Sequence, residues 1–135
     1  SFIMIIPVGV ERCLIVNILK DINDAWFNIR ALKLTKLSID EAKTFYSVHS
    51  ERPFFDELTK YMSRSPIVAA VLEKKNAVSE FRKLIGDTDP STAEKGTIRS
   101  KYAISKGENS VHGSDSDENA KIEAQFHFSG REILF

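Results

Sequence analysis

Residues 109–116, Asn-Ser-Val-His-Gly-Ser-Asp-Ser, decide both the fold and the chemistry to be expected of this chain. His112 stands inside the stretch, immediately before a predicted helix that starts between Ser114 and Glu118. Free backbone N–H groups at a helix N-terminus favour an anion. A nucleophilic imidazole at this position is therefore well placed to act on a negatively charged substrate.

Glu123 belongs to the same arrangement. It lies two turns into the predicted helix, on the same face as Ser116 and Asn119. Its carboxylate can reach back and hold one imidazole nitrogen of His112, which leaves the other nitrogen free to attack. The two residues predict a nucleophile with its orienting group. Without such neighbours, a single histidine in a small protein is more often structural or solvent-exposed.

Apolar runs alternate with helical patterns over the rest of the chain. Ser38 and Glu41 have the spacing of a capping box, and the polar residues 86–96 predict a surface loop. Phe126 and Phe128 alternate with polar neighbours, which predicts a last strand. The alternation of strands and helices indicates a mixed α/β domain. Further strands are predicted at residues 2–6, 27–34 and 67–72, and helices at about residues 10–24, 42–46, 54–61 and 77–85.

Size and charge exclude several classes of protein. The 135 residues, 42% hydrophobic and 28% charged, fit one compact domain over residues 1–135. Nineteen basic and nineteen acidic residues cancel, which argues against nucleic acid or membrane partners. The single Cys13 cannot form an internal disulfide, so we expect a cytoplasmic location. The apolar start, residues 1–10, lacks a basic leader and is too short to span a membrane, which favours a buried strand.

Several side chains between residues 82 and 112 are suited to phosphate. The glycine-rich phosphate loop and the protein-kinase motifs do not occur in the sequence. Guanidinium, hydroxyl and amide groups neutralise and orient phosphate oxygens. Each residue alone is weak evidence, because exposed arginines more often form surface ion pairs. The candidates are Arg82, Thr88, Arg99, Asn109 and His112.

The stretch at residues 109–116 closely resembles the active-site signature of nucleoside diphosphate kinases. The resemblance is strong over about residues 36–134 and weaker in the first third of the chain. It implies an α/β fold of the ferredoxin-like βαββαβ type, a sandwich in which helices cover an antiparallel sheet. The other segments that carry it are Phe45-Tyr46-Ser47-Val48-His49, Glu51-Arg52-Pro53-Phe54-Phe55, Ser65-Pro66-Ile67-Val68 and Gly96-Thr97-Ile98-Arg99.

This resemblance implies a ping-pong reaction. His112 would attack the terminal phosphate of a nucleoside triphosphate, become phosphohistidine and pass the group to a nucleoside diphosphate. Ser114 and Glu123 would orient the imidazole, Tyr46 would support it, and Phe54 would stack on the nucleobase. The phosphates and the sugar would be bound by Arg82, Thr88, Arg99 and Asn109.

The resemblance also implies a magnesium ion and an assembly. The metal would be held mainly by the substrate phosphates, with Asp115 at most an outer-shell partner. The protein would form a homo-oligomer, a hexamer or a tetramer, that binds nucleoside triphosphates and diphosphates. Stacking on Phe54 reads no hydrogen-bond pattern, so we expect little discrimination among nucleobases.

Four positions depart from the family pattern. Ile6 stands where the family ordinarily has a lysine that reaches the transferred phosphate, and Val8 replaces an acidic residue. Asp87 brings negative charge beside Thr88, and Trp26 occupies the place of a helix-ending glycine. An apolar side chain cannot stabilise charge on phosphoryl oxygens, and loss of one such donor costs on the order of 10²–10³ in turnover. We therefore expect reduced activity.

Two alternatives stay open. A catalytically weak or inactive family member could act as a nucleotide-binding or assembly subunit. A structural protein that keeps the motif by coincidence is the least favoured interpretation, since many phosphate-handling residue types occur together.

Overall fold

The sheet at the centre of the protein has four strands and only antiparallel neighbours. The computed structural model describes residues 1–135. In the order in which they lie side by side, the strands are β2 (Asn28–Thr35), β3 (Ile67–Glu73), β1 (Phe2–Ile5) and β4 (Val111–Gly113). This topology confirms the predicted ferredoxin-like α/β sandwich. It also confirms the three strands predicted in the first half of the chain.

Helices cover both faces of this sheet. Successive side chains of a strand point to opposite faces, so Phe2 and Met4 of β1 join one buried cluster, whereas Ile3 and Ile5 join the other. None of the helices is long and apolar enough to cross a bilayer. They are α1 (Pro7–Glu11), α2 (Ile15–Asp24), α3 (Ile39–Phe45), α4 (Phe55–Ser63), α5 (Ala77–Ile85), α6 (Ile98–Tyr102) and α7 (Asp117–His127), with 3-10 turns at Ser47–His49 and Gly130–Glu132.

The first predicted helix, at residues 10–24, is wrong in its N-terminal part. Two helices, α1 and α2, occupy this region, and α1 begins earlier, with Pro7 in its first turn. Cys13 between them has a φ of 61°. A left-handed residue cannot continue a right-handed helix, so the chain turns there and restarts at Ile15.

The predicted last strand at Phe126 and Phe128 is also wrong. Phe126 and His127 belong to α7, whose buried residues Ala120, Ala124 and His127 recur at helical spacing. Two apolar residues separated by one polar residue also occur on helices, and this short pattern was misleading. The sheet position next to β1 is taken instead by β4, which has three residues and is too short to give a periodic signal.

Trp26 follows the C-terminus of α2 and takes the left-handed conformation that glycine ordinarily supplies, with a φ of 68°. Its amide donates to the carbonyl of Asn23 at 3.0 Å, and the Phe27 amide donates to that of Ile22 at 3.4 Å. The indole itself is 84% exposed. The helix therefore ends in a left-handed turn without a glycine, at the cost of an unfavourable backbone conformation.

Candidate functional site

His112 and Glu123 are in direct contact. The imidazole Nε2 of His112, on β4, lies 2.8 Å from Glu123 Oε1 on α7. Ser114 Oγ lies 2.8 Å from the same carboxylate oxygen and 3.0 Å from the carbonyl oxygen of Phe2. In the tautomer that donates to this carboxylate, Nε2 carries the proton and Nδ1 keeps its lone pair.

The position of His112 differs from the expected one in a single respect. It does not directly precede a helix N-terminus, because β4 and a short turn separate it from Asp117, where α7 begins. The side chain of Ser116 accepts from the amide of Asn119 at that terminus. The helix positions Glu123 rather than offering its own N–H groups to the substrate.

His112 opens into a cleft of about 530 Å³, called the main cleft. Burial raises the pKa of Tyr46 well above its usual value, and the nearby Glu123 raises it further. Tyr46 therefore stays protonated and can donate a hydrogen bond into the cleft. The main cleft is defined by Tyr46, Arg82, Thr88, Arg99, His112 and Glu123, with Phe45, Val48, His49, Gly113, Asp115, Asn119 and Ile122 around them.

Two arginines supply positive charge to the main cleft. Arg99 donates from Nη1 to the Gly86 carbonyl and from Nη2 to the Val111 carbonyl, each at 3.1 Å. Its buried Nε has no partner. Burial, and to a smaller extent the positive charge of Arg82, lower the pKa of Arg99 to about 10. The Arg99 guanidinium group therefore remains charged at neutral pH, and the proximity of the two arginines favours an anion beside them.

The turn that carries Thr88 requires a glycine. Gly86 has a φ of 83°, and a Cβ there would lie 2.5 Å from the Thr97 hydroxyl. Asp87 follows it, in a smaller cavity shared with Arg82, Thr88 and Arg99. The carboxylate lies within the group of phosphate-binding candidates, where its charge opposes phosphate binding.

A second cavity, of about 190 Å³, adjoins His112 on the side of Ile6. Asn109 lines it, and its buried side-chain oxygen has no hydrogen-bond partner, whereas its Nδ2 donates to the Lys106 carbonyl at 3.1 Å. Ile6 is only 6% exposed. We call this space the side cavity, defined by Ile6, Tyr46, Arg99, Lys106, Asn109 and His112, with an apolar floor of Leu58, Tyr61, Met62 and Val111.

Phe54, like the buried Ser114, is a predicted site residue that lines neither cavity. Ser114 acts from behind Glu123, whereas Phe54 lies at the surface. Phe54 is 47% exposed, at the N-terminus of α4, and its ring centroid lies 5.7 Å from that of His49. His49 was not among the candidate site residues, yet it lines the main cleft. Its place on a turn near an aromatic residue was its only signal.

His127 is a core residue. Its ring stacks on Phe2 with centroids 5.2 Å apart, and its buried Nε2 has no partner. Burial lowers the pKa of His127 to about 4, so the ring is neutral under ordinary conditions. We therefore assign His127 a structural role in the core.

A metal ion would find few protein ligands in this site. The structure contains no group of three His, Cys, Asp or Glu side chains that could hold one. Asp115 lines the main cleft, where Asn119 Nδ2 donates to its Oδ1 at 2.6 Å and lowers its pKa. This donor set fits a hard cation that takes most of its oxygen ligands from a bound substrate.

Known proteins resemble this chain over nearly its full length. The family model described as "Nucleoside diphosphate kinase" matches residues 1–133. A relative of that name from Flavobacterium psychrophilum is 58% identical over 132 residues, which are 98% of this chain and 95% of the relative. One from Geobacter sulfurreducens is 48% identical over 134 residues, 99% of this chain and 98% of the relative.

Solved structures agree with these relatives. The nucleoside diphosphate kinase of Aquifex aeolicus superposes with a TM-score of 0.95 at 42% identity, covering 98% of this chain and 96% of that one. The enzyme of Halobacterium salinarum, solved in complex with CDP, superposes with a TM-score of 0.94 at 32% identity, covering 99% and 90%. Fold and sequence therefore point to the same family.

Proposed function

Because the chain belongs to the nucleoside diphosphate kinase family, we propose that it transfers the terminal phosphate of a nucleoside triphosphate to a nucleoside diphosphate through a phosphohistidine on His112. Membership makes the protein an enzyme that transfers phosphate between nucleotides. The observation that carries the finer proposal is the 2.8 Å contact of His112 Nε2 with Glu123, in a cleft that also holds two arginines.

The reaction begins at Nδ1 of His112. Its lone pair attacks the terminal phosphorus in line, the bond from that phosphorus to the bridging oxygen breaks, and the diphosphate leaves with the bond electrons. The ring then carries a phosphoryl group on Nδ1 and a proton on Nε2, and the Glu123 carboxylate stabilises its positive charge. An incoming diphosphate reverses these steps and restores the free imidazole.

The remaining residues of the main cleft bind and orient the phosphates. Arg82 and Arg99 neutralise the oxygens that gain charge in the transition state, and Thr88 donates from its hydroxyl group. Tyr46 donates to the phosphoryl group or to the imidazole. Ser114 keeps the Glu123 carboxylate in place.

The other substrate contacts lie outside the main cleft. Asn109 binds the sugar in the side cavity, and Phe54 supplies an exposed aromatic face for the base at the rim. Asp115 would be at most an outer-shell partner of a magnesium ion held mainly by the substrate phosphates. When bound, that ion draws charge from the transferred phosphate.

The apolar side chain of Ile6 favours a second candidate function, that of a nucleotide-binding subunit with little or no catalysis. It gives the side cavity an apolar wall beside His112, where a cation would lower the barrier to transfer. A member that binds nucleotides but transfers phosphate slowly or not at all would then serve as an assembly or regulatory subunit.

We also propose a single domain over residues 1–135, a cytoplasmic location and a homo-oligomer.

Intact-mass spectrometry after brief incubation with ATP and magnesium tests the phosphohistidine. The parent chain should gain one phosphoryl group and lose it when GDP is added. His112→Ala should gain none. His49→Ala is the matched control, because His49 lines the same cleft without a carboxylate partner and should still be phosphorylated.

The other outcomes separate the alternatives. A folded parent chain that binds ADP calorimetrically but forms no adduct would establish the non-catalytic function. Absence of both ADP binding and the adduct would contradict both functions. An adduct that survives in His112→Ala would place the phosphoryl group on another residue.

A further inference from the structure

Lys106 lines the side cavity together with Ile6 and His112. Lys106 is exposed, and Arg99 is the only other permanently charged side chain that lines this cavity. On the premise of the proposed function, we propose that the Lys106 ammonium group binds a phosphate oxygen of the bound nucleoside diphosphate. It thereby supplies to this cavity the positive charge that Ile6 does not.

The backbone of Lys106 is fixed over the cavity. The Ile104 amide donates to the Glu108 carbonyl at 2.9 Å, and the Asn109 side chain donates to the Lys106 carbonyl at 3.1 Å. Arg64, the residue that follows α4, approaches Glu108 at 3.9 Å. These contacts hold the backbone of Lys106 in place, and its flexible four-carbon side chain can move the ammonium group toward a ligand.

The ammonium group of Lys106 forms no ion pair within the protein. No carboxylate lies within ion-pair distance of its ammonium group, whereas Lys20, Lys33, Lys83 and Lys101 each have one. Its field reaches Asp89 and helps the hydrogen bonds from Ser91 to lower the pKa of that carboxyl. Asp89 directly follows Thr88, so the positive charge of Lys106 lies near the turn that carries this phosphate-binding candidate.

Calorimetric binding of ADP and of adenosine tests this assignment. Lys106→Met should weaken ADP binding about tenfold, as expected for the loss of one charge-assisted contact, and leave adenosine binding unchanged. Lys106→Arg should restore most of the loss. Lys60→Met, an exposed lysine of α4 that lines neither cavity, is the matched control and should bind both ligands like the parent.

A double-mutant cycle with Ile6→Lys supplies the second test. If Lys106 substitutes for a cation at position 6, Lys106→Met should lower ADP affinity by less than about threefold in the Ile6→Lys background. An equal loss of ADP affinity in both backgrounds would show that Lys106 does not replace a cation at position 6. Equal losses for ADP and adenosine, a Lys106→Met variant that binds ADP like Lys60→Met, or a parent that binds no ADP would overturn the phosphate contact. Formation of phosphohistidine is measured separately by intact-mass spectrometry. A protein that forms no phosphohistidine therefore still tests whether Lys106 contacts a phosphate of ADP.

Discussion

We expect Ile6 to limit the rate at which this site transfers phosphate. The side chain is buried between β1 and α1, packs with the core, and faces His112 across the side cavity. A lysine there could lay its stem along the same apolar surface and place its ammonium group in the cavity. We expect Ile6→Lys to raise kcat by on the order of 10²-fold, the effect of one preorganised donor, in a coupled phosphotransfer assay.

Ile6→Met is the control for this change, because methionine has a similar length and flexibility without charge. It should leave kcat within about threefold of the parent, since volume-conserving swaps in a core are well tolerated. A lysine variant that stays folded and is no faster than the methionine variant would show that charge at position 6 does not limit turnover.

Several residues of the main cleft could be predicted from the sequence, because a histidine and arginines that suit phosphate occur together with a recognisable motif. His112, Arg82 and Arg99 are suited to phosphate wherever they occur close in space, and the motif around His112 supplied that expectation. Lys106 and His49 gave no such signal. Which cavity an exposed lysine or histidine faces depends on the packing of distant loops, and no local pattern in the chain records it.

Elements were predictable where their pattern is long. Strand β3 is a continuous apolar run, and the capping box at Ser38 forms as its spacing predicts, with the Glu41 amide 3.1 Å from the serine hydroxyl. Strand β4 was missed because three residues carry no period. It is held by its register with β1, where His112 lies opposite Met4, and such long-range pairing is not encoded locally.

The turn after α2 stores backbone strain at Trp26. A left-handed conformation costs a non-glycine residue roughly 1–2 kcal/mol, and the exposed indole gives little packing energy in return. We expect Trp26→Gly to raise the free energy of unfolding by about 1 kcal/mol and Tm by about 4 °C in thermal denaturation. Trp26→Ala keeps a Cβ and should give no comparable gain. Equal stability of the glycine and alanine variants would contradict the strain.

In the whole molecule, β2 is an edge strand whose outer side is mostly unpaired. Its outer side has no neighbouring strand, although the Leu134 amide bonds to the Arg30 carbonyl there. Leu32 and Leu34 on one face are 49% and 63% exposed. A long edge strand with exposed leucines favours pairing with another chain. A second copy offers an identical edge, and two such edges can pair antiparallel about a twofold axis.

We therefore expect light scattering after size exclusion to give a homo-oligomeric mass for the parent protein. The double variant Leu32→Glu/Leu34→Glu should give a smaller assembly, because facing carboxylates would repel and the apolar contact would be lost. Val48→Glu, which alters an 81% exposed residue of the 3-10 turn, is the control and should keep the parent mass. A monomeric parent would contradict the assembly itself. An oligomer unaffected by the β2 variant would place the contact on another surface of the molecule.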